Sequence, residues 1–206
     1  MSDRTYPLFP VVAALGFTLV LIPLPWHLRS WNSGISYYIA WVALGCLVQF
    51  IDAIVWHDNT LNLAPVWCDI STRILVAASF GIPAASLCIQ RRLYRIAYMK
   101  FSADQAAPRR SVVIDSIICV LMPTIYLGFY YVVEGHRFDI FEDIGCLPVF
   151  YNTIPTIFLI YIWPLVLGLI SAVYCTLSMI AVIRRLNELD KLFASTPNMN
   201  TSRYLR

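Results

Sequence analysis

Asp69 and Arg73 stand four residues apart inside an apolar run, and Asp52 lies near the end of the run before it. On a helix, residues four apart share a face, so this aspartate and arginine can pair. A lone charge in hydrocarbon costs about 2.5–3.5 kcal/mol on insertion scales, which turns such residues toward a bundle interior or water. Two readings follow for Asp52, Asp69 and Arg73: the polar floor of a ligand site, or glue between packed helices. A second group is cationic. Arg91, Arg92 and Arg95 are interleaved with Leu93, Tyr94 and Ile96, and Arg184 and Arg185 follow a later apolar run. Such clusters either dock a cytoplasmic partner or set topology while touching anionic lipid.

Catalytic signatures are missing. The chain contains no H-E-x-x-H, no G-x-S-x-G and no glycine-rich phosphate loop. Its three histidines, His27, His57 and His136, are scattered over separate polar segments. No metal site, cofactor, enzymatic activity or nucleic-acid partner is expected.

The elements that position these residues are membrane helices. Hydrophobic residues make up 59% of the 206-residue chain and charged residues 13%, and the mean hydropathy is +0.69. A soluble domain carries roughly a quarter charged residues. Five runs reach the length of about 20 residues that crosses a bilayer as a helix. They cover residues 8–24, 35–56, 66–89, 112–133 and 156–183, followed by a cytoplasmic segment at 184–206. They do not alternate in polarity as strands of a membrane barrel do. The fold class expected is all-α, a polytopic membrane helix bundle. No cleavable leader is expected, because Pro23, Pro25 and Trp26 follow the first run where a small-residue cleavage site would stand.

Charge gives these spans a direction. Twelve of the 15 basic residues fall on one side: Arg29, then Arg91, Arg92, Arg95, Lys100, Arg109 and Arg110, then Arg184, Arg185, Lys191, Arg203 and Arg206. Asp58, Glu134, Asp139, Glu142 and Asp143 collect on the other. Basic loops stay in the cytoplasm, so the N-terminus is expected outside and the tail inside. The sequon at Asn200 would then be cytoplasmic and unmodified. Cys68, at the outer start of the third run, and Cys146, in the loop after the fourth, would face an oxidising compartment where a disulfide persists; the alternative is two free or lipid-facing thiols. Trp26, Trp31, Trp56 and Trp67 near span ends read as interfacial anchors. Trp41 and Trp163, inside spans, read as packing residues. Pro83, Pro123 and Pro164 each remove a backbone donor within a span and permit a kink.

Four stretches carry a resemblance. They are Leu24-Pro-Trp-His-Leu-Arg, Pro65-Val-Trp-Cys-Asp-Ile-Ser-Thr-Arg, Leu87-Cys-Ile-Gln-Arg-Arg-Leu-Tyr-Arg-Ile-Ala and Gly135-His-Arg-Phe-Asp-Ile-Phe-Glu-Asp-Ile-Gly-Cys-Leu-Pro. In this order they resemble the fungal mating-pheromone receptors that sense lipid-modified peptides of the a-factor type, a family of seven-helix G-protein-coupled receptors. The resemblance extends from Phe9 to Arg206 and implies the first five helices of such a receptor, ending before the sixth. It implies a plasma-membrane protein with a farnesylated peptide pheromone at its outer side and a heterotrimeric G protein at its inner face. It implies a disulfide between Cys68 and Cys146. Ligand contacts would fall at Asp52, Trp67, Asp69, Arg73, Glu142 and Asp143. G-protein contacts would fall at His27, Arg29, Arg91, Arg92, Arg95, Arg184 and Arg185. A truncated product that does not signal and a small-solute transporter are the competing expectations; the paired repeats common in transporters are not visible.

Overall fold

The computed structural model describes residues 7–98 and 107–195. The sequon at Asn200 and the tail from 196 onward lie outside the described residues. Five stretches are helical, long and apolar enough to cross a membrane: Leu8–Arg29, Ser33–Val55, Pro65–Ala97, Arg110–Val133 and Ile154–Glu188. In hydrocarbon each N–H and C=O must be satisfied within the protein, and a helix does this locally.

The first span is α1 (Leu8–Leu21) followed by α2 (Leu24–Arg29). Residues 25–29 were expected in a loop, yet Leu24-Pro-Trp-His-Leu-Arg is helical. Proline is tolerated there because the first helical turn has no intrahelical use for its N–H groups. α3 (Ser33–Val55) forms the second span and packs between α1 and α4. α4 (Pro65–Tyr98) is the third span and the centre of the bundle. Half of its most apolar window is buried, against α3, α6 and α8. The fourth span joins α5 (Ala107–Ser116) through a π-helical turn, Ile117–Leu121, to α6 (Met122–Val133). The fifth joins α7 (Ile154–Thr156) through a second π turn, Ile157–Tyr161, to α8 (Ile162–Ser195).

Each π turn comes just before a proline. Pro123 and Pro164 cannot donate to the carbonyls of Cys119 and Ile160, four residues back. A wider turn relieves the ring's clash with that carbonyl, and a neighbouring helix supplies a donor. Trp41 Nε1 donates to the Cys119 carbonyl at 3.0 Å, and the Tyr126 hydroxyl donates to the Ile160 carbonyl at 3.0 Å. Pro83 lies inside α4 without such a turn. Trp41 also packs flat against Gly81, where an added Cβ would stand 2.5 Å from the indole. Trp163 is 45% exposed on the outer face of the bundle, so the expectation that it packs internally is corrected.

The loop between the fourth and fifth spans folds into an antiparallel hairpin, β1 (Asp139–Phe141) with β2 (Gly145–Leu147), in which Ile140 faces Cys146. The bundle thus has a hairpin end, where α3 stops and α4 starts. At the opposite, arginine-rich end, α4 stops and α3 and α5 start.

Candidate functional site

At the hairpin end, Cys68 at the start of α4 is disulfide-bonded to Cys146 in β2, with Cα atoms 5.3 Å apart. Both are fully buried beside Trp56, with Phe138 and Ile140 packed against them. Trp56 was expected as an interfacial anchor; it is instead sealed inside this cluster, its indole N–H donating to the Leu61 carbonyl at 2.9 Å. Gly145 rests on Asp52. Its φ of +94° suits glycine, and an added Cβ would lie 2.4 Å from the Asp52 Cβ. Asp52 is therefore 1% exposed, beneath the hairpin. Its carboxylate accepts the Trp67 indole N–H at 2.5 Å. The expectation of Asp52 on the floor of an open site is corrected, because the disulfide and Gly145 bring the hairpin down on it. Trp67, likewise expected at the interface, is half-buried and committed to Asp52.

Asp69 does not pair with Arg73. Arg137, before β1, grips both Asp69 carboxylate oxygens through Nε and Nη2. The planar fork of a guanidinium matches a carboxylate in this way, and the Asp69 hydrogen bond pushes Arg137 above its ordinary value. Arg73 is exposed and reaches only the Asp69 backbone carbonyl, at 3.4 Å. A second clasp holds the hairpin turn. The Asp143 carboxylate lies 2.9 Å from His57 Nδ1 and accepts the Asp58 N–H at 3.2 Å, while the Asp143 N–H donates to the Trp56 carbonyl at 3.0 Å. The hydrogen bond with His57 holds the Asp143 carboxyl below the usual carboxylate range. One ligand atom from each of His57, Asp58 and Asp143 falls within 4.8 Å of the others, and the bonds among them already account for this grouping. Glu142, at the tip of the turn, is exposed.

At the arginine-rich end the critical residue is one the sequence reading passed over. Asp115 is 1% exposed, near the start of the fourth span. Arg91 Nη2 donates to one carboxylate oxygen at 2.6 Å and the Ser33 hydroxyl to the other at 2.6 Å. The signal was present: an acid inside an apolar run on the basic side needs a cation within reach. Arg92 Nη1 donates to the Trp31 carbonyl at 3.0 Å and to Asn32 Oδ1 at 3.1 Å. Arg91 and Arg92 thus brace the chain internally. Arg29, Arg95, Arg184 and Arg185 are exposed. Arg185 reaches the Ile96 carbonyl at 3.4 Å, which brings the ends of α4 and α8 together. His27 lies apart from them, on α2, lining a groove beside α3.

The chain matches the family described as Pheromone A receptor over residues 8–206. It is 49% identical to the Pheromone B alpha 3 receptor of Schizophyllum commune, over 100% of this chain and 33% of that protein. It is 35% identical to Pheromone receptor 1 of Mycosarcoma maydis, over 100% of this chain and 57% of that one. With the Pheromone a factor receptor of Saccharomyces cerevisiae it shares 28% identity, over 93% of this chain and 42% of the other. The chain spans about a third of the length of the Schizophyllum relative. No solved structure matches it.

Proposed function

Because this chain, a multi-pass membrane protein, belongs to the pheromone A receptor family, we propose that its five spans serve a G-protein-coupled receptor for a lipidated, farnesylated peptide mating pheromone. The receptor sits in the plasma membrane with the hairpin end outside and the arginine-rich end in the cytoplasm. The observation that carries this reading is the asymmetry of the two ends. One has a disulfide-clasped hairpin over the start of α4, as suits an oxidising exterior. The other carries the larger share of the exposed arginines, Arg29, Arg95, Arg110, Arg184 and Arg185, as suits the cytoplasm.

In this reading the pheromone meets the rim of the hairpin end. Arg73 and Glu142 are the exposed candidates, with Trp67, Asp69 and Asp143 holding the hairpin that presents them. Asp52 acts from beneath, through Trp67. The heterotrimeric G protein meets Arg95, Arg184 and Arg185, where α4 and α8 come together, with His27 and Arg29 at the flank. Arg91 and Arg92 fix the α4 end against α3 and α5 and so shape that surface.

The test is expression of the full-length protein in yeast lacking its own pheromone receptors, with a mating-response reporter. Synthetic peptides ending in a farnesylated cysteine should switch the reporter on, and the same peptides without farnesyl should not. Charge reversal at Arg95, Arg184 and Arg185 should abolish the response while leaving peptide binding to isolated membranes intact. Equal responses to both peptide forms would remove the lipopeptide, and a full response from the reversed variant would remove the docking surface.

A further inference from the structure

Beside α2 lies a groove of about 450 Å³ with walls of Leu24, Leu28, Ala40 and Val112. This is within the roughly 300–1,000 Å³ of ligand sites. The hydroxyls that face it are already used: Ser33 donates to Asp115, Ser36 to the Asn32 carbonyl, and Tyr37 bonds Ser116. The three hydroxyls along the groove are thereby satisfied, and apart from the His27 ring and the Asn32 amide its surface toward an occupant is hydrocarbon.

The rim is cationic. Arg92 is anchored to Trp31 and Asn32, both lining residues, and both bonds use Nη1, which leaves Nε and Nη2 for an anionic oxygen. Arg29 closes α2, and exposed Arg110 stands two residues before Val112. Asp115, the acid bonded to the lining residue Ser33, is compensated by Arg91. Trp26 and Trp31 are 69% and 68% exposed here, the behaviour of aromatic side chains at a membrane–water interface. We infer that this groove binds one anionic phospholipid, with an acyl chain between α2 and α3 and the phosphate headgroup at Arg92. Hydrocarbon walls below a cationic rim, at interfacial depth, complement that molecule. In the cell it comes from the cytoplasmic leaflet, where anionic lipids concentrate; that clause rests on the orientation proposed above.

The test uses the full-length protein in nanodiscs made from equal amounts of phosphatidylserine and phosphatidylcholine, with retained lipid read by native mass spectrometry. Phosphatidylserine should be retained in preference. Ala40→Trp fills the groove and should remove the retained lipid. Arg92→Gln removes the rim charge without changing the walls of Leu24, Leu28, Ala40 and Val112; the total lipid retained should stay the same while the preference falls about fivefold, the effect of one basic residue near an anionic surface. Retention without headgroup preference, retention unaltered by Ala40→Trp, or preference unaltered by Arg92→Gln each overturns the inference. So does an empty groove, which would mean that protein rather than lipid covers it. Both nanodisc leaflets have the same composition, so the result is independent of orientation and of signalling.

Discussion

Asp115 is the side chain on which the arginine-rich end turns. Its carboxylate is buried and takes a charge-assisted bond from Arg91 and a second bond from Ser33. Removing one partner of a buried ion pair costs about 3–5 kcal/mol, and the partial exposure of Arg91, 26%, places the effect at the low end. Asp115→Asn should therefore lower the melting temperature in detergent, and Arg91→Gln combined with it should cost less than the two changes added. Strict additivity would mean that the two groups do not interact. At the other end, the Asp143 carboxyl is held below the ordinary carboxylate range by the hydrogen bond with His57. A depressed acid stabilises the fold above its unfolded value and loses that contribution as the pH falls through the folded one. His57→Ala should raise the Asp143 titration toward that of an unpaired carboxylate, followed by NMR of carboxyl-labelled aspartate. An unchanged titration would separate the two side chains.

Among the elements, the fourth and fifth spans are each interrupted by a π turn and a proline, and each has a polar side chain of a neighbouring helix bonded to the carbonyl the proline leaves. The bonds from Trp41 and Tyr126 lock α3 to the fourth span and α6 to the fifth. Interhelical hydrogen bonds in membranes average about 0.6 kcal/mol, so Trp41→Phe should destabilise modestly. Gly81→Ala should do more, because the new methyl would occupy the plane of the Trp41 ring; a melting temperature equal to the parent's would contradict this packing. The hairpin depends on a different glycine. Gly145→Ala introduces both a strained φ and a collision with Asp52, and should lower the yield of disulfide-bonded protein on non-reducing gels. Loss of the disulfide itself, by Cys68→Ser or Cys146→Ser, should cost about 2–5 kcal/mol, since it closes a long segment of chain.

For the molecule as a whole, span number and the basic end were legible in the sequence because both follow from solvent. Hydrocarbon accepts only long apolar helices and keeps exposed arginines out, so run length and charge position were enough. The order of family motifs was legible for the same reason, since each is a continuous stretch. Side-chain partnership was not. The sequence placed Asp69 with Arg73, four residues away, but the fold gave it Arg137, 68 positions along the chain. It left Asp115 unremarked, although that acid joins α3, α4 and the fourth span. It set Asp52 and Trp56 at an open end, and the hairpin buried both. Local spacing states which residues can meet, whereas the packing of helices and the return of a distant loop decide which of them do.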